Sequence, residues 1–202
     1  MSSELQEATP PTTVAASPSV NLRFATSSDE DINGIVDLGR EVFLTTFAHT
    51  VSEKDMDSYL EANYSYKPIK ADLDNPNRRC IVAESAEPDA TGKKQIIGYS
   101  FMATDSTEDC LKDYPNAIEL LRIYTHPSTH GKGLAKQIAD ASFDLGRKAG
   151  YDWIWLGVYP ENHRAIAFYQ KKLGFKKIGT HAFWVGDQKD EDDVMICSLK
   201  QS

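Results

Sequence analysis

The segment that constrains this chain most runs from residue 116 to 160. An apolar run, NAIELLRIYTH, stops at Pro127; a glycine-bearing turn follows, and then a patterned stretch that predicts a helix from Gly133 to Lys148. Gly150 closes that helix, and a second apolar run, YDWIWLGVYP, comes directly after it. A strand, a helix and a strand in this order make the two strands parallel neighbours in one sheet. Elsewhere the pattern predicts hairpins. RRCIVAES and QIIGYSFMAT flank the polar loop AEPDATGKK, while FKKIGTHAFWV and DVMICSL make a closing pair. The acidic tract DQKDEDD (187–193) between the last two reads as a solvated hairpin turn.

The remaining elements follow from caps and spacing. NLRFAT is a first strand. A helix capped by Ser28 or Asp29 carries Ile32, Ile35, Val36, Leu38, Val42 and Phe43 at helical spacing. A second helix is capped by Ser52, with Asp55 completing a capping box. KPIKADLDNP adds a helical turn or two before Pro76, and ENHRAIAFYQKKLG is a late helix. The order β-α-α-β-β-β-α-β-α-β-β describes an α/β (α+β) domain whose mixed, mostly antiparallel central sheet is flanked by helices.

Composition narrows the function classes. The 202 residues are 41% apolar and 26% charged, enough for one core in residues 21–202 behind an arm, residues 1–20, whose Ser, Thr, Pro and Ala read as disordered. That arm lacks the basic and apolar regions of a secretory signal, and it has no arginine as a mitochondrial transit peptide would. A cytoplasmic location is expected, with the nucleus left open. A net charge of −8 and a pI near 5.1 disfavour nucleic acid, and no run suits a membrane span. The three cysteines, Cys80, Cys110 and Cys197, are widely spaced and fit a reducing compartment. No His or Cys pair has metal-ligand spacing, so no metal is expected.

The turn THPSTHGKGLAK (125–136) allows two readings. Its glycines either only turn the chain, or they bare backbone N–H groups at a helix start, where the dipole and unpaired donors hold an anion. The stretch is neither a Walker P-loop nor a dinucleotide fingerprint. Leu134, Ile138, Ala141 and Leu145 give the helix an apolar face that would aim its N-terminus.

Taken with NHRAIAFYQKKLGF (162–175), the segment ELLRIYTHPSTHGKGLAKQI resembles the GNAT superfamily of acyl-CoA-dependent N-acetyltransferases. The family's motif Q/R-x-x-G-x-G/A is matched by His130, Gly133 and Ala135, with histidine departing from the usual glutamine or arginine. The resemblance implies acetyl-CoA as co-substrate. The backbone of Ile123, Tyr124 and Thr125 would pair with the pantetheine arm. The amides of Gly131, Lys132, Gly133, Leu134, Ala135 and Lys136 would hold the pyrophosphate, with the ring of His130 able to donate beside them. Asn162 would bond the pantetheine, and Tyr169 would stand near the sulfur. Glu119 matches the position of a general base. Strict alternation would put Glu119, Leu121, Ile123 and Thr125 on one face unless a bulge intervenes.

Residues 41–65 and 155–179 also look similar to bacterial spermidine/spermine acetyltransferases, which implies a polyamine or a related small amine as acceptor, walled by Phe47 and His49. The alternatives are a protein N-terminal or lysine acetyltransferase and, from another class, a non-catalytic acyl-CoA-binding regulator. A homodimer is left open.

Each site residue also has a structural reading. Tyr169 lies on the stripe Ile166, Tyr169, Leu173, Asn162 is a natural N-cap, and Glu119 could belong to a solvated strand face.

Overall fold

A computed structural model describes residues 20–47, 52–90, 92–185 and 188–200, with the backbone alone at 183–185 and 188–190. His49 and nearly all of the expected N-terminal arm lie outside the described residues. Seven strands form one sheet: β1 (Asn21–Phe24), β2 (Arg78–Glu84), β3 (Ile96–Ala103), β4 (Ala117–Thr125), β5 (Trp153–Val158), β6 (Lys176–Val185) and β7 (Gln188–Ser198), in the order β1-β2-β3-β4-β5-β7-β6. Every neighbouring pair is antiparallel except β4 and β5. That exception is the strand–helix–strand unit read from the sequence.

Helices cover both faces. On one side lie α1 (Asp29–Phe47), α2 (Glu53–Asn63) and α3 (Tyr66–Asp74), whose Ile32, Ile35, Phe43, Leu60 and Ile69 pack with Val82, Tyr99 and Phe101 of the sheet. On the other lie α4 (Leu134–Lys148) and α5 (His163–Leu173), over Ile118, Leu120, Ile154, Leu156 and Met195. Local chemistry sets the ends. The Ser52 hydroxyl accepts from the Asp55 amide at 3.2 Å and donates to the Asp55 carboxylate, so Ser52 caps the helix, with the Asp55 carboxylate taken by the hydroxyl rather than by the backbone N–H that a capping box uses. Nine residues of α3 exceed the turn or two expected, because Pro68 sits in the first turn, where its missing N–H has no intrahelical partner to lose. None of the described helices is long and apolar enough to cross a membrane.

Two features depart from the expected pattern. The buried stripe of α4 is Leu134, Ile138, Ala139, Ser142, Phe143 and Gly146, with Ala141 and Leu145 half-buried at its margin. Ser142 is tolerated there because its hydroxyl bonds the Ile138 carbonyl at 2.9 Å and the Ser100 hydroxyl at 2.9 Å. Burial of Ile138 alone is worth ~1.5–3 kcal/mol, so α4 is anchored close behind its N-terminus. The second departure is the acidic tract, most of which belongs to strand β7. Asp192 within it is only 9% exposed.

Candidate active site

The glycine turn is built as a donor surface. Gly131 and Gly133 have φ of +76° and +83°, a region that favours glycine, and Gly133 is the N-cap of α4. The first helical backbone bond here is made by the Gln137 amide to Gly133, at 3.1 Å. Among the described residues, the amides of Gly131, Gly133, Leu134, Ala135 and Lys136 make no hydrogen bond. These donors, with the helix dipole behind them, suit a pyrophosphate. Lys132 is exposed, and Lys136 is exposed and paired with Asp140 at 2.7 Å, so neither cation is fixed over the turn.

His130, the residue that departs from the motif, lies beside Arg164 of α5. Arg164 Nη1 stands 2.9 Å from His130 Nδ1. A guanidinium can only donate, so Nδ1 accepts and the ring carries its proton on Nε2. Burial, and then the neighbouring guanidinium, hold the His130 pKa below its ordinary value. At neutral pH the ring is uncharged, and a hydrogen bond to the Thr125 backbone works against these two effects. Asn162 caps α5, its side-chain oxygen accepting from the Ala165 amide at 3.1 Å, which leaves its NH2 group as a donor.

Beyond the turn, β4 and β5 separate. They pair at Ala117–Trp153, Ile118–Ile154 and Glu119–Trp155, and their ladder ends there. On the other edge of β4, Phe101 of β3 pairs with Arg122 but Met102 pairs with Leu120, so Leu121 is an extra residue, a β-bulge. The bulge changes the phase of the strand. Leu121, Arg122 and Tyr124 face the α1–α3 side, where Leu121 and Tyr124 join its core and Arg122 bonds Asp72 at 2.7 Å. Ile123 turns to α4 and packs near Leu134 and Ile138. The expected common face of Glu119, Leu121, Ile123 and Thr125 is therefore broken at Ile123.

Glu119 and Tyr169 lie on opposite sides of the sheet, and the opening between β4 and β5 lies between those sides. Glu119 is 7% exposed; its carboxylate accepts from the Ser106 hydroxyl, and burial pushes its pKa above the usual carboxylate range. Tyr169 packs with the α4–α5 core, its ring edge-on to Phe175 at 5.8 Å. Burial raises its pKa above that of a free tyrosine, so the hydroxyl keeps its proton at neutral pH. Phe47, at the end of α1, touches Phe43 (4.5 Å between centroids) and Tyr159 after β5 (5.6 Å), so it joins the end of α1 to the end of β5.

Sequence reasoning did not single out a polar cluster next to Glu119. His181 of β6 pairs across the ladder with Asp192 of β7, and its Nδ1 lies 2.8 Å from Glu108 Oε1. The ring crosses Gly157 of β5 so closely that a Cβ there would stand 2.7 Å from Nε2. Trp155 meets the same ring edge-on at 6.5 Å. The available signal was the alternation of Asp192 with buried Val194 and Ile196. The charge of the tract hid it.

With fold and site in hand, comparison with known proteins is direct. The Acetyltransferase (GNAT) family matches residues 41–175. An uncharacterized N-acetyltransferase in the pepI 3′ region of Lactobacillus delbrueckii subsp. lactis is 27% identical over 172 residues, 85% of this chain and 94% of that protein. The spermidine N(1)-acetyltransferase of Thermoplasma acidophilum is 27% identical over 150 residues, 74% of this chain and 84% of that protein. Among solved structures, the PaiA N-acetyltransferase of Thermoplasma acidophilum in complex with coenzyme A has the same fold. Its TM-score is 0.65 at 21% identity, over 89% of this chain and 99% of that one. The match to the family spans about two thirds of the sequence and takes in the glycine turn, the parted strands, Glu119 and Tyr169, and the chain belongs to the GNAT family of acetyltransferases.

Proposed function

We propose that this protein transfers an acetyl group from acetyl-CoA to a primary amine of a small acceptor of the polyamine class. The observation that carries the reading is the parting of β4 and β5 just beyond Glu119, with a carboxylate on one side, a protonated phenol on the other, and bare amides at the mouth. Acetyl-CoA supplies a thioester, and its pyrophosphate would be held beside His130 by the amides of Gly131 and of residues 133–136; the Lys132 amide, expected to join them, donates instead to the Thr129 carbonyl at 3.2 Å. The exposed strand edge of Ile123, Tyr124 and Thr125 and the NH2 group of Asn162 would hold the pantetheine.

An alkyl amine with pKa near ~10.4 must lose its proton before it attacks, at a cost of roughly 4–5 kcal/mol at neutral pH. Glu119 takes that proton, directly or through water. A backbone N–H of residues 123–125 polarises the carbonyl oxygen on which charge builds. Tyr169 protonates the departing sulfur. No covalent bond to the enzyme is required.

Support for a small cationic acceptor comes from the acidic cluster of Glu108, Glu119 and Asp192 around His181, and from likeness to a protein named as a spermidine acetyltransferase. The enclosure of Glu119 and the Phe47–Tyr159 contact disfavour a protein lysine or N-terminus as acceptor. Free-thiol release from acetyl-CoA, measured with polyamines, amino acids and peptides in parallel, tests the reading. Release with peptides but not with polyamines overturns the acceptor class, and coenzyme A binding without release to any amine leaves the non-catalytic regulator.

Gly131→Val probes the anion turn. Nothing stands within 4 Å of a Cβ at this position, so the substitution acts through φ rather than through packing. A left-handed conformation costs a branched residue ~1–2 kcal/mol. The expected result is a rise of about tenfold in KM for acetyl-CoA with a smaller change in kcat, read from initial rates.

A further inference from the structure

Five buried side-chain polar atoms make no hydrogen bond among the described residues: Arg78 Nε, Tyr99 OH, Trp155 Nε1, His181 Nε2 and Asp192 Oδ1. Native interiors leave few such atoms, so their placement is informative. Three of the five meet where β5, β7 and β6 run side by side, on the same side of the sheet as Glu119. Asp192 is 9% exposed and Trp155 1%. Trp155 comes from a strand well before the hairpin that carries His181 and Asp192, and the cluster borders Glu119 without containing it, Tyr169 or the glycine turn.

The imidazole there satisfies its surroundings incompletely. His181 Nδ1 donates to Glu108 Oε1 at 2.8 Å, but Nε2 stops 3.9 Å from Asp192 Oδ2, an ion-pair distance without a hydrogen bond. Gly157 is what lets the ring lie there at all. The charged groups acting on His181 are Asp192 of β7 and Glu108 of the loop before β4, and Glu119 of β4 feels its charge in turn. Asp192 and Glu108, against burial, hold the ring's pKa at about 9, so it is a cation at neutral pH. Arg78 also acts on Glu119, and Tyr59 of α2 feels the charge of Asp192. One imidazolium between two carboxylates leaves a surplus of negative charge, and one carboxylate oxygen lacks a donor. A surface concavity lined by Thr107, Glu108, Asp109, Leu111 and Lys112 opens beside the cluster.

We propose that Asp192 and Glu108, set apart by His181, form a subsite for a second ammonium group of the acceptor, so that the enzyme selects diamines and longer polyamines over monoamines. This rests on the small-amine reading above and deepens it. The distal ammonium donates to Asp192 Oδ1 and to Glu108. His181 is a positioning residue that keeps the two carboxylates separated and part-neutralised until the acceptor enters. Its own positive charge makes distal-ammonium binding and ring protonation compete.

Two measurements test this. The first compares kcat/KM for 1,4-diaminobutane and butylamine in the wild type and in Asp192→Asn. The diamine-to-monoamine ratio is expected to fall roughly 10–100-fold in the variant, as for a lost hydrogen bond to a charged group. An unchanged ratio overturns the subsite while the acetyl-transfer reading stands. The second is an NMR titration of the His181 ring in wild-type protein, assigned with His181→Gln. Adding 1,4-diaminobutane is expected to lower the ring pKa, and butylamine to leave it in place. No difference between the two amines overturns the subsite, even if no amine is acetylated and the small-amine reading fails on its own.

Discussion

Tyr169→Phe is expected to lower kcat by about 10²–10³-fold while KM for acetyl-CoA changes little, because only a proton needed in the transition state is removed. The side chain packs against Phe175 and the α4–α5 core, and phenylalanine keeps that packing. Burial shapes the chemistry twice. It raises the phenol pKa, so the acid is always charged with its proton, and it makes a bare thiolate at the same place costly. A weak acid is then matched to a leaving group that has itself become basic. The loss is to be followed as free-thiol release across pH, with a thermal melt to confirm that folding is unchanged. Full activity at every pH would remove Tyr169 from the mechanism and would leave acetyl transfer standing.

Glu119→Gln is expected to cost about 10²-fold or more in kcat/KM near neutral pH and to abolish the acid limb of the pH profile. In the wild type that limb is expected above the usual carboxylate range, because burial raises the Glu119 pKa against the lowering effect of the Ser106 hydroxyl. The sign for stability runs the other way. A carboxyl group whose folded pKa is raised adds stability below its unfolded pKa, and that contribution is lost as pH rises through the folded value. The charge that the buried Glu119 takes on as pH rises is therefore a burden, and glutamine, which still accepts from Ser106, relieves it. The variant is expected to be much slower yet to melt at or above the wild-type temperature at pH 7. A slower variant that also melts far lower would assign Glu119 a structural role.

Elements were readable in the sequence wherever hydrophobic period and punctuation agreed. The unit of β4, α4 and β5 was of this kind, with Pro127, Gly133 and Gly150 marking its joints. The donor side of the site was readable for the same reason, since residues 123–136 and 162–169 are contiguous segments with their own caps and turns. The acceptor side was not. Phe47 was named from resemblance alone, while Ser106, Glu108, Tyr159, His181 and Asp192 come from a loop, the end of β5 and the last hairpin, and only the folded sheet brings them together. Asp192 misled in a specific way. Five acidic residues among 187–193 suggest water, yet strand alternation buries one of them beside a histidine eleven positions earlier. The bulge at Leu121 was beyond local pattern as well, because a one-residue slip is decided by the partner strand.

That slip makes β4 two half-strands of opposite phase joined at Leu121. Its first half points Glu119 to the α1–α3 side; its second half points Arg122 and Tyr124 that way and sends Ile123 to α4. Removing Leu121 would leave a plain ladder, with Leu120 still opposite Met102 and Arg122 still opposite Phe101. Every other side chain of the strand would keep its side of the sheet. The extra residue is therefore a local device: it adds one more side chain to the α1–α3 core and disturbs the strand just past Glu119, while the facing of the rest of β4 does not depend on it.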